Sequence, residues 1–179
     1  MIKTSLPYAF GMSLGSALII LLAYLLGYHN DLARFQSGQY ISMVAGLLVM
    51  VVALVLGMRA VRTESPNQSL SYGRAIGTGT LITTLSGVMS AVFSYVYGKV
   101  INPEFHQMMY EFQITQVAER MTSAQIEQAA PMMRFFTSAG WIASTQLFVS
   151  PIFGVIASAI IGPFVKRTPK AGSTEIPAA

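Results

Sequence analysis

The chain has 179 residues, of which 53% are apolar and only 10% carry a charge. Soluble domains carry about 25% charged residues, so this composition excludes an ordinary soluble enzyme and a disordered chain. The net charge of +4 does not indicate nucleic-acid binding, because the basic residues flank long apolar segments, as the orientation of a membrane protein requires.

Four windows free of charged residues are long enough to cross a bilayer as helices, which takes about 20 residues at 1.5 Å each. They predict an all-α integral membrane protein with transmembrane helices at about residues 6–28, 38–58, 75–98 and 138–165. The first window exceeds the apolar part of a signal peptide and precedes no small-residue cleavage pattern, so we expect it to be retained.

The domain organisation follows from these spans. Residues 1–167 are predicted to form one membrane domain, because the segments between the spans leave no room for a second, soluble domain. The remaining residues, 168–179, are rich in Pro, Ala, Ser and Gly. This composition predicts a disordered tail.

The distribution of Lys and Arg predicts the orientation. Seven basic residues fall on the side of both termini: Lys3, Arg59, Arg62, Arg74, Lys166, Arg167 and Lys170. Four fall on the other side: Arg34, Lys99, Arg120 and Arg134. Because cytoplasmic loops carry the excess of Lys and Arg, we expect both termini and the tail to be cytoplasmic.

The segment 99–137 is long enough to be more than a turn, and we predict an amphipathic outer hairpin of two helices at about 102–134. Asn102-Pro103 is typical of a helix start. Thr122 and Gln125 form the pattern of a capping box, which predicts the start of the second helix. An apolar face follows the first start, with helical spacing, at Phe105, Met108, Met109 and Phe112. We interpret the hairpin as packing on its own bundle or resting in the membrane interface, the alternative being a docking surface for a partner.

Several methionines lie close in sequence to His106: Met108, Met109, Met121, Met132 and Met133. Thioethers with an imidazole are ligands for Cu(I). The spacing shows no Met-x-x-Met array, however, and Met108 and Met109 belong to the apolar helix face. We therefore interpret the methionines as apolar packing and predict no metal and no cofactor.

The third span is unusually polar for a membrane helix. Thr83 and Thr84, with Gln146 and Ser150 of the fourth span, would form a polar lining for a pathway. Threonine hydroxyls also bond to carbonyls of their own helix, so helix packing is the simpler interpretation. Small residues four apart, which let helices approach closely in lipid, support it at Gly79, Thr83, Gly87, Gly154, Ser158 and Gly162.

The chemistry that an enzyme needs is missing from the sequence patterns. We expect no Asp, Glu, Lys or Arg at mid-membrane depth and no buried histidine, which disfavours proton relays and intramembrane hydrolysis. Nucleotide loops, zinc-protease motifs and serine-hydrolase motifs are absent, and the chain has no cysteine. The sequence therefore predicts a non-enzymatic structural or accessory protein that acts through helix packing and its outer hairpin.

The expected partners are membrane lipids, together with a second copy of the chain or another membrane protein, because small-residue faces occur on several spans. The alternative function is a small channel or carrier for an uncharged or weakly polar solute, lined by the hydroxyls of the third span.

Three segments resemble a known bacterial family, domain of unknown function 4199. Residues 71–75 (Ser-Tyr-Gly-Arg-Ala) are similar to the start of that family's third helix. Residues 101–105 and 122–127 are similar to its outer hairpin. The resemblance runs from about residue 70 to 165. It implies four membrane helices in a bacterial inner membrane, and it implies no activity, cofactor or catalytic residue.

Arg74 and Tyr72 lie where the third span begins. An arginine there is predicted to anchor the span at the headgroups, with Tyr72 beside it. A cation at a helix N-terminus is unfavourable by about 0.3–1 kcal/mol. The alternative is therefore a specific anion partner, either a lipid phosphate held bidentately or Glu64 in the same loop.

Overall fold

The computed structural model describes residues 1–65 and 68–166. Six α-helices and one π-helical segment make up this part of the chain, which contains no β-strand. They are α1 (Ile2–Leu25), α2 (Leu32–Thr63), α3 (Tyr72–Val96), the π-helical segment (Tyr97–Ile101), α4 (Phe105–Val117), α5 (Ser123–Phe136) and α6 (Ala139–Val165). The tail predicted at 168–179 lies outside the described residues.

Four helices are long and apolar enough to cross a membrane: α1, α2, α3 with the π-helical segment, and α6. The predicted fold class is thus confirmed. Large apolar side chains cover the outside of this bundle, such as Leu48 at 64% exposure and Phe148 at 72%. A protein surrounded by water rarely exposes so much contiguous apolar surface, so the surface suits a lipid environment.

The helix ends differ from the predicted spans in α1 and α2. The first helix begins at Ile2 and ends at Leu25, so it is shifted towards the N-terminus relative to 6–28. The second covers 32 residues instead of 38–58. Its first turn is polar but capped, since the Asp31 carboxylate accepts a hydrogen bond from the Ala33 amide at 2.9 Å. A charged residue therefore marks the edge of an apolar window without ending the helix.

Contacts between helices establish an up-and-down bundle. α2 runs antiparallel to α1, because Gly15 faces Val49 and Gly57 faces Tyr8. α3 runs parallel to α1, with the Ser90 hydroxyl donating to Ser13 at 3.4 Å. The N-terminus, the loop before α3 and the end of α6 thus share one end of the bundle, here named the terminal end. The α1–α2 loop and the hairpin of α4 and α5 share the other, the hairpin end.

The terminal end is closed by a hydrophobic core to which all four long helices contribute. Its largest members are fully buried: Leu54, Met58, Leu70 and Ile82. Arg62 adds a link between the ends of α2 and α6, because its Nη1 donates to the Val165 carbonyl at 3.1 Å.

α3 and α6 pack antiparallel along a seam of small residues. A Cβ atom on Gly79 would overlap the side chain of Ser158, and one on Gly154 would overlap Thr83. Further along, a Cβ on Gly87 would overlap Ser150. The small residues of these two helices therefore face each other within one chain. The last of them, Gly162, lies 3.2 Å from the ring of Tyr72, measured from its ideal Cβ position.

The hairpin consists of α4 and α5, as predicted, but its start differs. Asn102-Pro103 does not begin α4; the helix begins at Phe105, and Asn102 is the residue that ends the π-helical segment. The capping box is present at the start of α5, with Gln125 reaching back to the Thr122 backbone amide at 2.9 Å. The hairpin packs on the bundle through Phe112, whose ring centroid lies 5.2 Å from that of Phe35.

Candidate ligand-binding cavity under the hairpin

A cavity of about 430 Å³ lies at the hairpin end, where the long helices leave a space beneath α4. Its walls are mainly apolar and aromatic and include Ile19, Ile20, Phe93, Phe105, Met109 and Ile142. Its polar lining consists of uncharged or imidazole groups: Ser16, His29, Gln39, Ser42, Ser94, Tyr97, His106 and Gln146. No Asp, Glu, Lys or Arg is among the lining residues. This combination of apolar walls and a few convergent polar groups is typical of small-molecule sites.

His29 is fixed at the cavity by the turn between α1 and α2. Gly27 in this turn has a φ of +81°, a backbone conformation that glycine adopts at little cost. The turn reverses the chain direction, so that the imidazole of His29 faces the inside of the bundle. Only 6% of His29 is exposed. Its Nδ1 lies 2.6 Å from the hydroxyl oxygen of Tyr97, so a loop residue is joined to the end of α3.

Asn102 joins His29 and Tyr97 a second time. Its side-chain amide donates to the Tyr97 hydroxyl oxygen at 3.3 Å and to the His29 carbonyl at 3.4 Å. Among the described residues, Nδ1 of His29 is the one acceptor within hydrogen-bond distance of the Tyr97 hydroxyl, so we assign the hydroxyl hydrogen to Nδ1. In the neutral imidazole the ring hydrogen is then on Nε2, which has no partner among the described residues.

His106 enters the cavity from α4, and its ring lies directly against Gly98. A Cβ on Gly98 would overlap the imidazole. Gly98 belongs to the π-helical segment, a conformation that is often associated with functional sites. Both ring nitrogens of His106 are buried, and neither makes a hydrogen bond of good geometry in the described part of the chain, although the Thr137 backbone is near enough to affect the imidazole. The Ser42 hydroxyl is likewise buried without a hydrogen-bond partner there. Buried polar atoms without partners are rare in native proteins.

Burial also determines the charge of the two histidines. Desolvation lowers the pKa of His29 below its ordinary value of 6.5. It lowers the pKa of His106 as well; the backbone of Thr137 opposes this shift, and the charge of Lys99 contributes in the lowering direction. Both imidazoles are therefore neutral near pH 7.

A second chamber of about 180 Å³ continues the cavity towards the middle of the bundle, and both share Ser16, Ser94 and Gln146. Hydroxyl groups of α3 and α6 line it: Thr83, Ser86, Ser90 and Ser150. Of the polar lining predicted from the sequence, Thr83, Gln146 and Ser150 are thus brought together here. Thr84 is not part of this lining; its hydroxyl donates to the Thr80 carbonyl at 2.7 Å.

The expectation that no histidine would be buried is wrong. His29 and His106 were placed at a span edge and in the outer hairpin, where local patterns indicate exposure, and the tertiary fold brings both to one cavity. One sequence signal pointed to the site. His29 and His106 are the two histidines of the chain, and both lie on the same side of the predicted topology.

Arg74 and Tyr72 lie at the terminal end, away from the cavity. The Tyr72 hydroxyl donates to the Ala159 carbonyl at 3.1 Å, so this side chain links α3 to α6. Arg74 is exposed in the first turn of α3, which Ser71 caps. Glu64 does not pair with Arg74; its carboxylate accepts a hydrogen bond from the Thr4 hydroxyl.

The methionines near His106 have different environments. Met109 lines the cavity beside the imidazole, whereas Met132 is exposed on α5. Among the described residues, no group of three or more His, Asp or Glu side chains converges as a metal site would require.

A family comparison covers the whole of this arrangement. The model of a family described as protein of unknown function, DUF4199, matches residues 7–167. The chain belongs to the DUF4199 family. The match includes α1 from residue 7 onwards, the other three long helices, the hairpin and every residue that lines the cavity. It extends the resemblance seen in the sequence to the first two helices. No curated protein and no solved structure matches the chain.

Proposed function

We propose that this DUF4199 protein is a non-enzymatic, multi-pass protein of the bacterial inner membrane that binds a small uncharged molecule in the cavity under the hairpin. It would serve as an accessory component whose hairpin responds to the occupant. The observation that carries the proposal is the imidazole of His106, which has two buried nitrogens without partners in a largely apolar cavity.

An unpaired buried polar group destabilises a folded protein by about 1–3 kcal/mol. His106 has two such atoms, and the Ser42 hydroxyl adds a third in the same cavity. A phenylalanine of similar shape would fill the position of His106 without that cost. A ligand that bonds to these groups offsets it, and a binding role thus explains a residue that packing alone disfavours.

Ligand binding to the purified full-length chain in detergent tests the proposal. Farnesol and a naphthoquinone with a short prenyl tail serve as uncharged probes, and palmitate as a charged one. At least one uncharged probe is expected to raise the thermal unfolding midpoint in a concentration-dependent way. Palmitate is expected to have no effect, because no cation lines the cavity.

His106→Phe is the decisive variant. It removes both nitrogens and keeps a ring in place, so we expect it to weaken probe binding while it raises the thermal midpoint of the ligand-free protein. Val92→Phe, on the exposed face of α3, is the matched control and should change neither. Unchanged affinity in His106→Phe, or no stabilisation by any uncharged probe, would contradict the proposal.

A carrier for an uncharged solute is the second candidate, and the hydroxyl-lined chamber favours it. The closed terminal end makes it the weaker one, since Leu54, Met58 and Ile82 would have to separate during transport. Liposomes containing the protein should then show solute flux above empty liposomes, and Thr83→Val should reduce it. Thr84→Val is the control, because Thr84 does not line the chamber.

The proposed orientation places both termini in the cytoplasm and the hairpin outside. The chain has no cysteine, so single cysteines report accessibility without background. In intact cells, Glu119→Cys in the hairpin turn should react with a membrane-impermeant maleimide, and Lys3→Cys should react only after lysis. The reverse result would show the opposite orientation.

We also propose that the protein associates with a second copy or another membrane protein through a helix face of small residues. The seam of α3 and α6 already uses Gly79, Gly87 and Gly154 within the chain. Gly11, by contrast, is exposed and has open space at its ideal Cβ position, and it remains for a second copy or another membrane protein. Crosslinking in mild detergent should give a dimer that Gly11→Leu reduces. If the parent and the Gly11→Leu variant are both monomeric, the proposed association through Gly11 is wrong.

A further inference from the structure

We infer that the cavity binds an isoprenoid quinone: an uncharged planar ring with two carbonyl oxygens and an apolar tail. This inference rests on the proposed binding function and specifies its ligand class. It is carried by two imidazoles that line one cavity and by the aromatic side chains beside them. The nitrogens of His106 are buried without a well-formed hydrogen bond, and His29 bonds to Tyr97 through Nδ1, which leaves its Nε2 for a ligand.

The donor at His29 is defined by its hydrogen bonds. In the tautomer assigned above, Nδ1 accepts from Tyr97 and the ring hydrogen is on Nε2. The group offered to a ligand is therefore an N–H donor, and its complement is an acceptor such as a carbonyl oxygen. His106 adds a second imidazole, and a neutral imidazole always has one N–H to donate.

The two imidazoles lie close enough for one small ligand to contact both. The centroid of Phe105 lies 4.8 Å from that of His29 and 5.8 Å from that of His106. The two imidazole centroids are thus no more than about 11 Å apart, and both rings line the same cavity. A ligand that bonds to both imidazoles therefore carries its acceptors on one compact group, such as a single ring.

The walls exclude a charged headgroup and favour a ring. None of the lining residues is Lys, Arg, Asp or Glu, so a phosphate or carboxylate would be buried without a counter-charge, at high cost. Phe93, Tyr97 and Phe105 supply aromatic surfaces, against which a planar ring packs edge-to-face or offset.

The cavity also provides a way out for a tail. A volume of about 430 Å³ is at the lower end of the range for small-molecule sites, so it holds a ring and the start of a chain, not a complete isoprenoid. Met43 lines the cavity and is 54% exposed on α2. The cavity therefore reaches the side of the bundle, where an apolar tail would continue along α2 into lipid.

Two substitutions at His29 distinguish the roles of its two ring nitrogens in ligand binding. His29→Asn keeps an acceptor near the position of Nδ1 for Tyr97 but removes the donor at Nε2. His29→Gln is the matched control, because its longer side chain returns an amide donor to the position of Nε2. Equilibrium binding of the short-tailed naphthoquinone is measured for both variants and the parent, and farnesol is the probe with a similar tail and no carbonyl.

We expect the naphthoquinone to bind at least tenfold more tightly than farnesol. His29→Asn should raise its Kd about three- to tenfold, the loss of one hydrogen bond, and His29→Gln should stay closer to the parent. His106→Phe should raise the Kd similarly, which provides a second test should His29→Asn not fold. Equal binding of farnesol and the quinone, or a quinone affinity unchanged in both His29→Asn and His106→Phe, would overturn the quinone inference. Equal binding of the two probes would leave the binding function standing. A quinone affinity unchanged in His106→Phe, or no binding of either probe, would overturn the binding function as well.

Discussion

The imidazole of His106 rests directly on the α-carbon of Gly98, so a residue of the hairpin occupies the place of a side chain on the third span. The π-helical segment positions Gly98 at this contact. The shape of the cavity therefore depends on the absence of a Cβ methyl group at position 98.

Gly98→Ala should displace the His106 ring and weaken probe binding, because the new Cβ would overlap the imidazole. The protein should still fold, since the ring can move with the hairpin instead of the bundle. Gly140→Ala, with open space at its Cβ position on α6, is the control. A Gly98→Ala protein that binds farnesol and naphthoquinone as the parent does would show that this contact does not shape the site.

The seam between α3 and α6 gives a second prediction from two glycines of one helix. Gly79→Ala should destabilise the protein by about 1–3 kcal/mol, as overpacking of a tight interface does, because its Cβ would overlap Ser158 and lie 2.7 Å from Met58. Gly77→Ala should be neutral or slightly stabilising, since nothing lies within 4 Å and alanine favours a helix. Thermal unfolding in one detergent compares the pair, and equal midpoints would argue against close packing at this seam.

Stability should fall as the pH is lowered from 7.5 to 5.5. Burial holds the pKa of His29 and of His106 below 6.5 in the folded protein, whereas the unfolded chain takes up protons near 6.5. The unfolded state then binds more protons below that pH, and the free energy of unfolding decreases. The double variant His29→Asn/His106→Phe should lose most of this dependence in thermal unfolding across the same range. A parent midpoint that stays constant or rises on acidification would refute the prediction.

Arg74 and Tyr72 should behave differently although they are two residues apart. Arg74 is exposed at the start of α3, and anchoring at the headgroups needs only its charge, so Arg74→Lys should match the parent in stability and in retained anionic lipid. Tyr72→Phe should cost about 1 kcal/mol, because the hydrogen bond to Ala159 is lost. A marked loss of anionic lipid in Arg74→Lys would indicate a bidentate phosphate site instead.

Much of the fold could be predicted because the signals are local. Charge-free windows locate the four spans, and the capping box at Thr122 and Gln125 locates the start of α5. The ends of α2 were harder to predict, since Arg34 lies inside a helix that Asp31 caps. Local composition shows where a span crosses the apolar layer, and capping shows where the helix ends.

The cavity could not be predicted because its defining contacts are distant in sequence. His29 and Tyr97 are 68 positions apart, and no helical or strand period relates a loop residue to the end of another span. Asn102 was interpreted locally as a helix cap, while its amide in fact joins Tyr97 and the His29 backbone. The polar residues of α3 and α6 were found, by contrast, because they recur within single helices.

The bundle has its buried hydrophobic core at the terminal end and the ligand cavity at the hairpin end, and this asymmetry has a kinetic consequence. Backbone amides around Leu54 and Ile82 should exchange with deuterium only in rare global openings, whereas amides of α4 and α5 exchange through frequent partial ones. A bound molecule can then leave by a local opening of the hairpin while the closed half keeps the four helices in register. Its residence time is set by the lifetime of the closed hairpin and not by the stability of the whole protein.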